Sequence, residues 1–279
     1  MNLNNMKKNL YILISVFVIL IPLIIPKYNL AFDISSLLTI VTLIFGLLIG
    51  FFIAGALTNH INLNSQLANG NATLTIVYNL TKLINKKESK KLSSAIDTYL
   101  IETLNNSLIY HNKNTDDEFY KIINLIDNIK SPNNAPSVSI YQNLHSAKAD
   151  LFRIRQNIIQ IAPKTMSRLH WLVIALLAIA MLILTFALRD GSITLYLISS
   201  IISACVYWLL LILHHVDNNK FLENQLAYED VQNVFKSIGQ LRYYPELSFK
   251  QGMANIPKED YRIGITNKTE TKIKTIRLT

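Results

Sequence analysis

Apolar residues gather in four blocks, at 10–26, 37–57, 171–188 and 194–213. Between the second and third blocks, polar and apolar positions alternate at helical spacing. A run of about 20 apolar residues at about 1.5 Å rise each crosses the hydrocarbon core of a bilayer. No Lys, Arg, Asp or Glu falls within 37–57, 171–188 or 193–213. The pattern therefore predicts an all-α integral membrane protein. Four transmembrane helices form two hairpins (1–58 and 170–216), with a helical region at 59–169 between them and an amphipathic helix and tail at 217–279. The first block admits two readings. Its basic start resembles a signal peptide, but no small-x-small cleavage site follows and Pro22 and Pro26 interrupt its end, which favours an uncleaved helix.

Between the blocks the elements follow from periodicity and breakers. Asp33, Ser35 and Ser36 suit the N-cap of the second span. Ile61, Leu67, Leu74, Val77, Leu80, Leu83 and Ile84 keep helical spacing, so this helix continues past the bilayer. The run from Lys86 to Lys91 is expected to be a solvated turn or helix boundary. Further helices are predicted at 92–109, 116–129 and 138–162, with the Pro132–Pro136 region as a breaker and Pro163 closing the last of them. Arg189, Asp190 and Gly191 form a tight turn between spans three and four. Beyond span four, a helix at 219–238 is predicted with Ala227, Val231, Val234, Phe235 and Ile238 on one face and Gly239 as its C′ stop. Tyr243, Tyr244 and Pro245 are read as a turn. Weak alternation on either side of Asn267 and Lys268 predicts a short hairpin.

Charge sets the orientation. The net charge is +9, with only 16% charged residues against about 25% in ordinary soluble domains. Lys7 and Lys8 precede the first span, Lys27 stands alone in one short loop and Arg189 in the other; all other Lys and Arg lie in 58–170 or after 214. The positive-inside rule then places the N-terminus, the middle region and the C-terminus in the cytoplasm. The basic balance thus points to a membrane and not to nucleic acid. The sequons at Asn71, Asn79, Asn105 and Asn267 fall on the cytoplasmic side and are not expected to be glycosylated. The single cysteine, Cys205, lies mid-span; no intramolecular disulfide can form, and a packing role is expected for it.

Candidate chemistry is sparse. Gly46, Gly50 and Ala54 recur every four residues, which lets helix backbones approach closely in lipid, either within one subunit or between subunits around a pore. Leu43, Leu47 and Phe51 form an apolar stripe, read as lying on the opposite side of the same helix. Such a stripe faces lipid or a neighbouring helix; in a ring of subunits it would make a hydrophobic constriction. Ser199, Ser200, Ser203 and Tyr207 form a small polar stripe in span four, with helix packing through Ser199 and Ser203 as its simplest role. No carboxylate or arginine pairs with it, which counts against a proton-coupled transporter. His170, His214, His215 and Asp217 converge if spans three and four are antiparallel; a metal or pH site is one reading, interfacial anchoring with Trp171 and Trp208 the simpler one. The sequence carries no phosphate loop, zinc-protease or nucleophile-elbow motif, so neither catalytic residues nor a cofactor are assigned.

The stretch from Phe45 to Ile53, followed by a long polar helix, resembles the pore-lining segment of bestrophin channels, and still more the bacterial bestrophin-like membrane proteins. Arg153 and Arg155 with Pro163 and Trp171, and the stretch from Asp217 through Phe235 to Pro245, match in the same way. The resemblance implies a pentameric anion channel in a bacterial inner membrane, with Leu43, Leu47 and Phe51 at the neck. It departs where those channels carry Arg-Trp after the neck, since Asn59 and His60 stand here, and the acidic calcium clasp has no counterpart. The function expected is a homo-oligomer in the lipid bilayer that passes small anions passively. The alternative is a non-conducting scaffold whose cytoplasmic helices bind a partner or anionic lipid.

Overall fold

The computed structural model describes residues 34–105, 111–131, 135–163, 166–188, 192–217, 228–250, 254–266 and 271–278, together with Val16 and Leu20. Its elements are α1 (Ile34–Ile84), α2 (Lys86–Asn105), α3 (His111–Asp127), α4 (Ala135–Ile161), α5 (Arg168–Ala187), α6 (Ile193–Asp217), α7 (Tyr228–Ser237), β1 (Arg242–Pro245), α8 (Glu246–Lys250), β2 (Tyr261–Thr266) and β3 (Thr271–Ile276). Among the described residues, α1, α5 and α6 are long and apolar enough to cross a membrane. Apart from Val16 and Leu20, the first apolar block lies outside the described residues, as do the turn at 189–191 and Asp33, proposed as a cap. The chain divides into two compact units: one takes in residues up to His60 and Lys164–Lys220, the other Ile61–Pro163 and Phe221–Thr279.

In the first unit, α5 and α6 pack on the opening turns of α1. Ile174, Ala178 and Met181 of α5 meet Val206 and Leu213 of α6, and both helices bury Phe45 and Ile49 of α1. The outer faces stay apolar: Leu172, Leu176, Ile179 and Ile183 on α5, and Leu197, Ile201 and Trp208 on α6, are exposed. That is the inverse of a soluble bundle and suits acyl chains around the helices. Cys205 is on this exposed surface, so the packing role expected for it is not filled within this unit. Its neighbours Ser203 and Val206 occupy the inward positions instead.

The second unit is built on the continuation of α1, with α2, α3 and α4 around it. Leu74 and Val77 share a core with Leu92, Ile96 and Leu100 of α2, Phe119, Ile122 and Ile126 of α3, and Leu144 and Leu151 of α4. Only Asn85 separates α1 from α2. Its side-chain oxygen accepts from Lys87 N (2.9 Å) and Glu88 N (3.3 Å), an N-cap that starts α2 at Lys86, six residues before the predicted start at 92. Helix α7 inserts Val231, Val234, Phe235 and Ile238 into the same core. It ends at Gly239, whose φ of 77° suits glycine. Gln240 N donates to Phe235 O and Gly239 N to Lys236 O, the paired bonds of a Schellman stop.

The fold is mostly helical but not all-α. β2 and β3 form the predicted hairpin, with Thr266 opposite Thr271, and β1 adds in parallel, giving the order β1-β2-β3. The residues read as a turn at Tyr243–Pro245 are therefore a strand. The outer edge of β1 is closed by one buried side chain: Gln232 donates from Nε2 to Tyr243 O (2.8 Å) and accepts at Oε1 from Tyr243 N (2.9 Å). A glutamine amide here does what another strand would do. Arg262 of β2 ties the sheet to α2 through both oxygens of Asp97 and lies over the Phe235 ring.

Candidate functional site

Helix α1 positions the predicted neck residues. At about 100° per residue, its buried positions fall on one face. Phe45 and Ile49 are each 3% exposed and Ala56 1%, and the same face continues through Leu63, Leu74 and Val77. The other side is open. Leu43 is 63% exposed, Leu47 55% and Phe51 73%. Gly46, Gly50 and Ala54 do not lie opposite these residues, as expected above. A three-residue offset turns a helix by about 300°, which brings the two stripes side by side on one exposed face. A Cβ built on Gly46 or Gly50 meets nothing within 4 Å, so neither glycine admits a close neighbour among the described residues.

Span four differs. Ser199 and Ser203 are both buried; the first hydroxyl donates to Tyr196 O (2.9 Å) and the second to Ser199 O (2.7 Å). Their hydrogen-bonding capacity turns back on their own helix, and their small size sits at its inner face.

The group around His170 and Asp217 is brought together by the start of α5 and the end of α6. Asp217 is 1% exposed. Its Oδ1 accepts from Met166 N (2.9 Å) and its Oδ2 from Trp171 Nε1 (3.1 Å). The carboxylate is thus a clasp between the two helices, buried as Met166 is. The Trp171 ring meets His214 edge-on, with centroids 5.9 Å apart. His170 is used elsewhere: with Ser167 it forms a capping box at the start of α5, and its ring lies 5.0 Å from Phe52 of α1. His215 bonds the Leu211 carbonyl of its own helix (2.8 Å). Among the described residues, no three His, Cys, Asp or Glu gather as a metal site. The clasp was missed by sequence reading, although one signal was present. Asp217 is the first acidic residue after Asp190, at the end of an otherwise uncharged span.

A second polar focus lies in the second unit. Arg155 of α4 is buried, donates to Asp116 (2.8 Å) and to Thr115 (3.3 Å), and lies 4.5 Å from the centre of the Phe119 ring. It also reaches the Tyr99 hydroxyl at 3.4 Å. Burial pushes the Tyr99 phenol above its ordinary pKa, against the opposing pull of Arg155. This arrangement joins α2, α3 and α4, and Tyr99 and Arg155 also line a small cavity beside Gly70 and Ile158. Arg153, about 200° round the helix from Arg155, is exposed and pairs with Asp150.

The comparisons with known proteins agree with this architecture. No curated protein matches the sequence. Among solved structures, one described as the crystal structure of a membrane protein superposes with a TM-score of 0.59 over 84% of this chain and 98% of its own, at 9% identity. At that identity the likeness is one of fold. The family model for the bestrophin-like domain matches residues 33–219, a stretch that opens just before α1 and closes just after Asp217. With its apolar α1, α5 and α6 and the helical segments between them, the chain belongs to the bestrophin-like family.

Proposed function

We propose that the chain is an oligomeric channel of a bacterial inner membrane, in which several copies surround one path that small anions cross passively. The observation that carries this reading is the exposed face of α1. Glycine inside a helix costs about 1 kcal/mol relative to alanine. Gly46 and Gly50 have no neighbour within 4 Å among the described residues to offset that cost. A helix from another copy, approaching over Gly46, Gly50 and Ala54, supplies the close packing that small residues allow in lipid. In a ring, Leu43, Leu47 and Phe51 then point toward the shared axis and form a neck that gates by dewetting. Membership of a channel-type family supports the same reading. The first apolar block serves as a fourth span, both termini are cytoplasmic, and the basic regions outside the spans raise the local anion concentration. No catalytic step and no cofactor belong to this proposal.

The test is reconstitution of the purified protein in liposomes, with halide flux measured beside its mass in mild detergent. A defined ring, halide flux above that of empty liposomes, and a leak in Leu47→Ala or Phe51→Ala are expected. Flux equal to empty liposomes, with a monomer or dimer in solution, would sink the channel and leave the scaffold reading, in which the cytoplasmic helices bind a partner or anionic lipid.

A further inference from the structure

Helix α1 is uncharged far beyond its apolar part. Between Asp33 and Lys82 the sequence holds no Asp, Glu, Lys or Arg. From Ile61 onward α1 belongs to the second unit, where Leu63, Leu74 and Val77 are buried while Asn62, Ser65, Asn69, Ala72, Ile76 and Asn79 are exposed. Counted at about 100° per residue, these exposed positions fall in the same sector as Leu43, Leu47 and Phe51. The other helices of the unit have ordinary surfaces: Lys86, Lys87 and Lys90 on α2, Asp117 and Lys121 on α3, and Arg153 on α4 are exposed. A solvated face usually carries about a quarter to a third charged residues. An Asn-rich composition by itself would not clear charge from one long helix, this exposed face included, and leave it on the others.

We propose that this face, led by Asn62, Ser65 and Asn69, lines the aqueous stretch of the ion path as a neutral conduit for hydrated monovalent ions. An amide offers both a donor and an acceptor and a hydroxyl does the same, so these side chains hydrogen-bond the hydration shell of either sign. A lining with no fixed charge neither concentrates nor repels one sign, so α1 does not itself set anion over cation selectivity. Placing one charge per subunit on it then decides the sign. The inference rests on the ring of copies proposed above.

The test uses the full-length protein in planar bilayers under a KCl gradient, with reversal potential as the readout. Ser65→Asp and Asn69→Asp should raise the cation-to-anion permeability ratio, and Ser65→Lys and Asn69→Lys should lower it, each by about fivefold or more for several charges near one axis. Gln142→Asp, an exposed change on α4 of the same unit, should leave the ratio as in the wild type. Wild-type currents with reversal potentials unmoved by all four face variants would overturn this inference and leave the channel standing. A wild type that passes no ions would remove the channel reading itself, and this inference with it. Should the charged variants fail to assemble, Asn69→Cys in a Cys205→Ser background can be modified after assembly, since Cys205 is the single cysteine. Anionic and cationic thiol reagents should then shift the reversal potential in opposite directions; complete modification without a shift would overturn the proposal.

Discussion

Replacing Asp217 by alanine should separate the start of α5 from the end of α6. The carboxylate accepts two hydrogen bonds, from Met166 N at 2.9 Å and from Trp171 Nε1 at 3.1 Å, and is 1% exposed. A hydrogen bond to a charged group contributes about 1.5–3 kcal/mol, and its loss leaves a buried donor unsatisfied. Met166 N is a backbone donor ahead of α5 and cannot turn to solvent without moving the helix start. The expected loss for Asp217→Ala is therefore about 3–5 kcal/mol. Asp217→Asn keeps one acceptor but sets an NH2 against the other donor, so it should lose about 2 kcal/mol. Trp171→Phe removes only the indole donor and should lose about 1–2 kcal/mol. The assay is reversible unfolding in mixed micelles for the single variants and the double variant. Asp217 and Trp171 share one bond, so their cycle should show a coupling of about 1–2 kcal/mol. An Asp217→Ala protein within about 0.5 kcal/mol of wild type, the range of an ordinary surface change, would refute the clasp.

Three further outcomes follow from other parts of the molecule. A Cβ at Gly50 meets nothing within 4 Å among the described residues, so with Gly50→Leu each subunit should fold as before while the oligomer mass measured by light scattering falls; an unchanged mass would place the small-residue stripe against lipid. Gly264→Ala would drive a methyl into the Tyr243 hydroxyl, and Tyr243 is fully buried with that hydroxyl bonded to Asn105 Oδ1 at 2.7 Å, so hydrogen exchange along β2 should accelerate; unaltered protection would show that the ring has room to move. Burial raises the phenol pKa of both Tyr99 and Tyr243. The folded protein thus keeps protons that the unfolded chain releases above about pH 10, so these groups leave stability flat near neutrality and reduce it as pH rises past that point. Denaturant unfolding at high pH should show a shallower decline in the Tyr99→Phe, Tyr243→Phe double variant, and an identical decline would exclude the two phenols as its source.

The amino-acid sequence by itself determined the elements whose signals are local. Unbroken apolar runs mark α1, α5 and α6 because a bilayer selects on length and charge along one segment. The continuation of α1 past Asn59, the stop at Gly239 and the β2–β3 hairpin were legible for the same reason: each rests on spacing or turn chemistry within a few residues. The neck candidates could be read as a stripe, since Leu43, Leu47 and Phe51 stand four residues apart. Tertiary structure decided what depends on partners distant in the chain. It put the glycines on the open side of α1, away from the buried core, because Phe45, Ile49 and Ala56 claim the inward face. It made a parallel strand of Arg242–Pro245, which needs β2 on one edge and the Gln232 amide on the other. It made Asp217 a clasp, because the two donors that hold the carboxylate arrive from residues 166 and 171. A segment's own pattern settles how it coils and which solvent it tolerates; which of its faces is covered, and by what, is settled only when the rest of the chain packs against it.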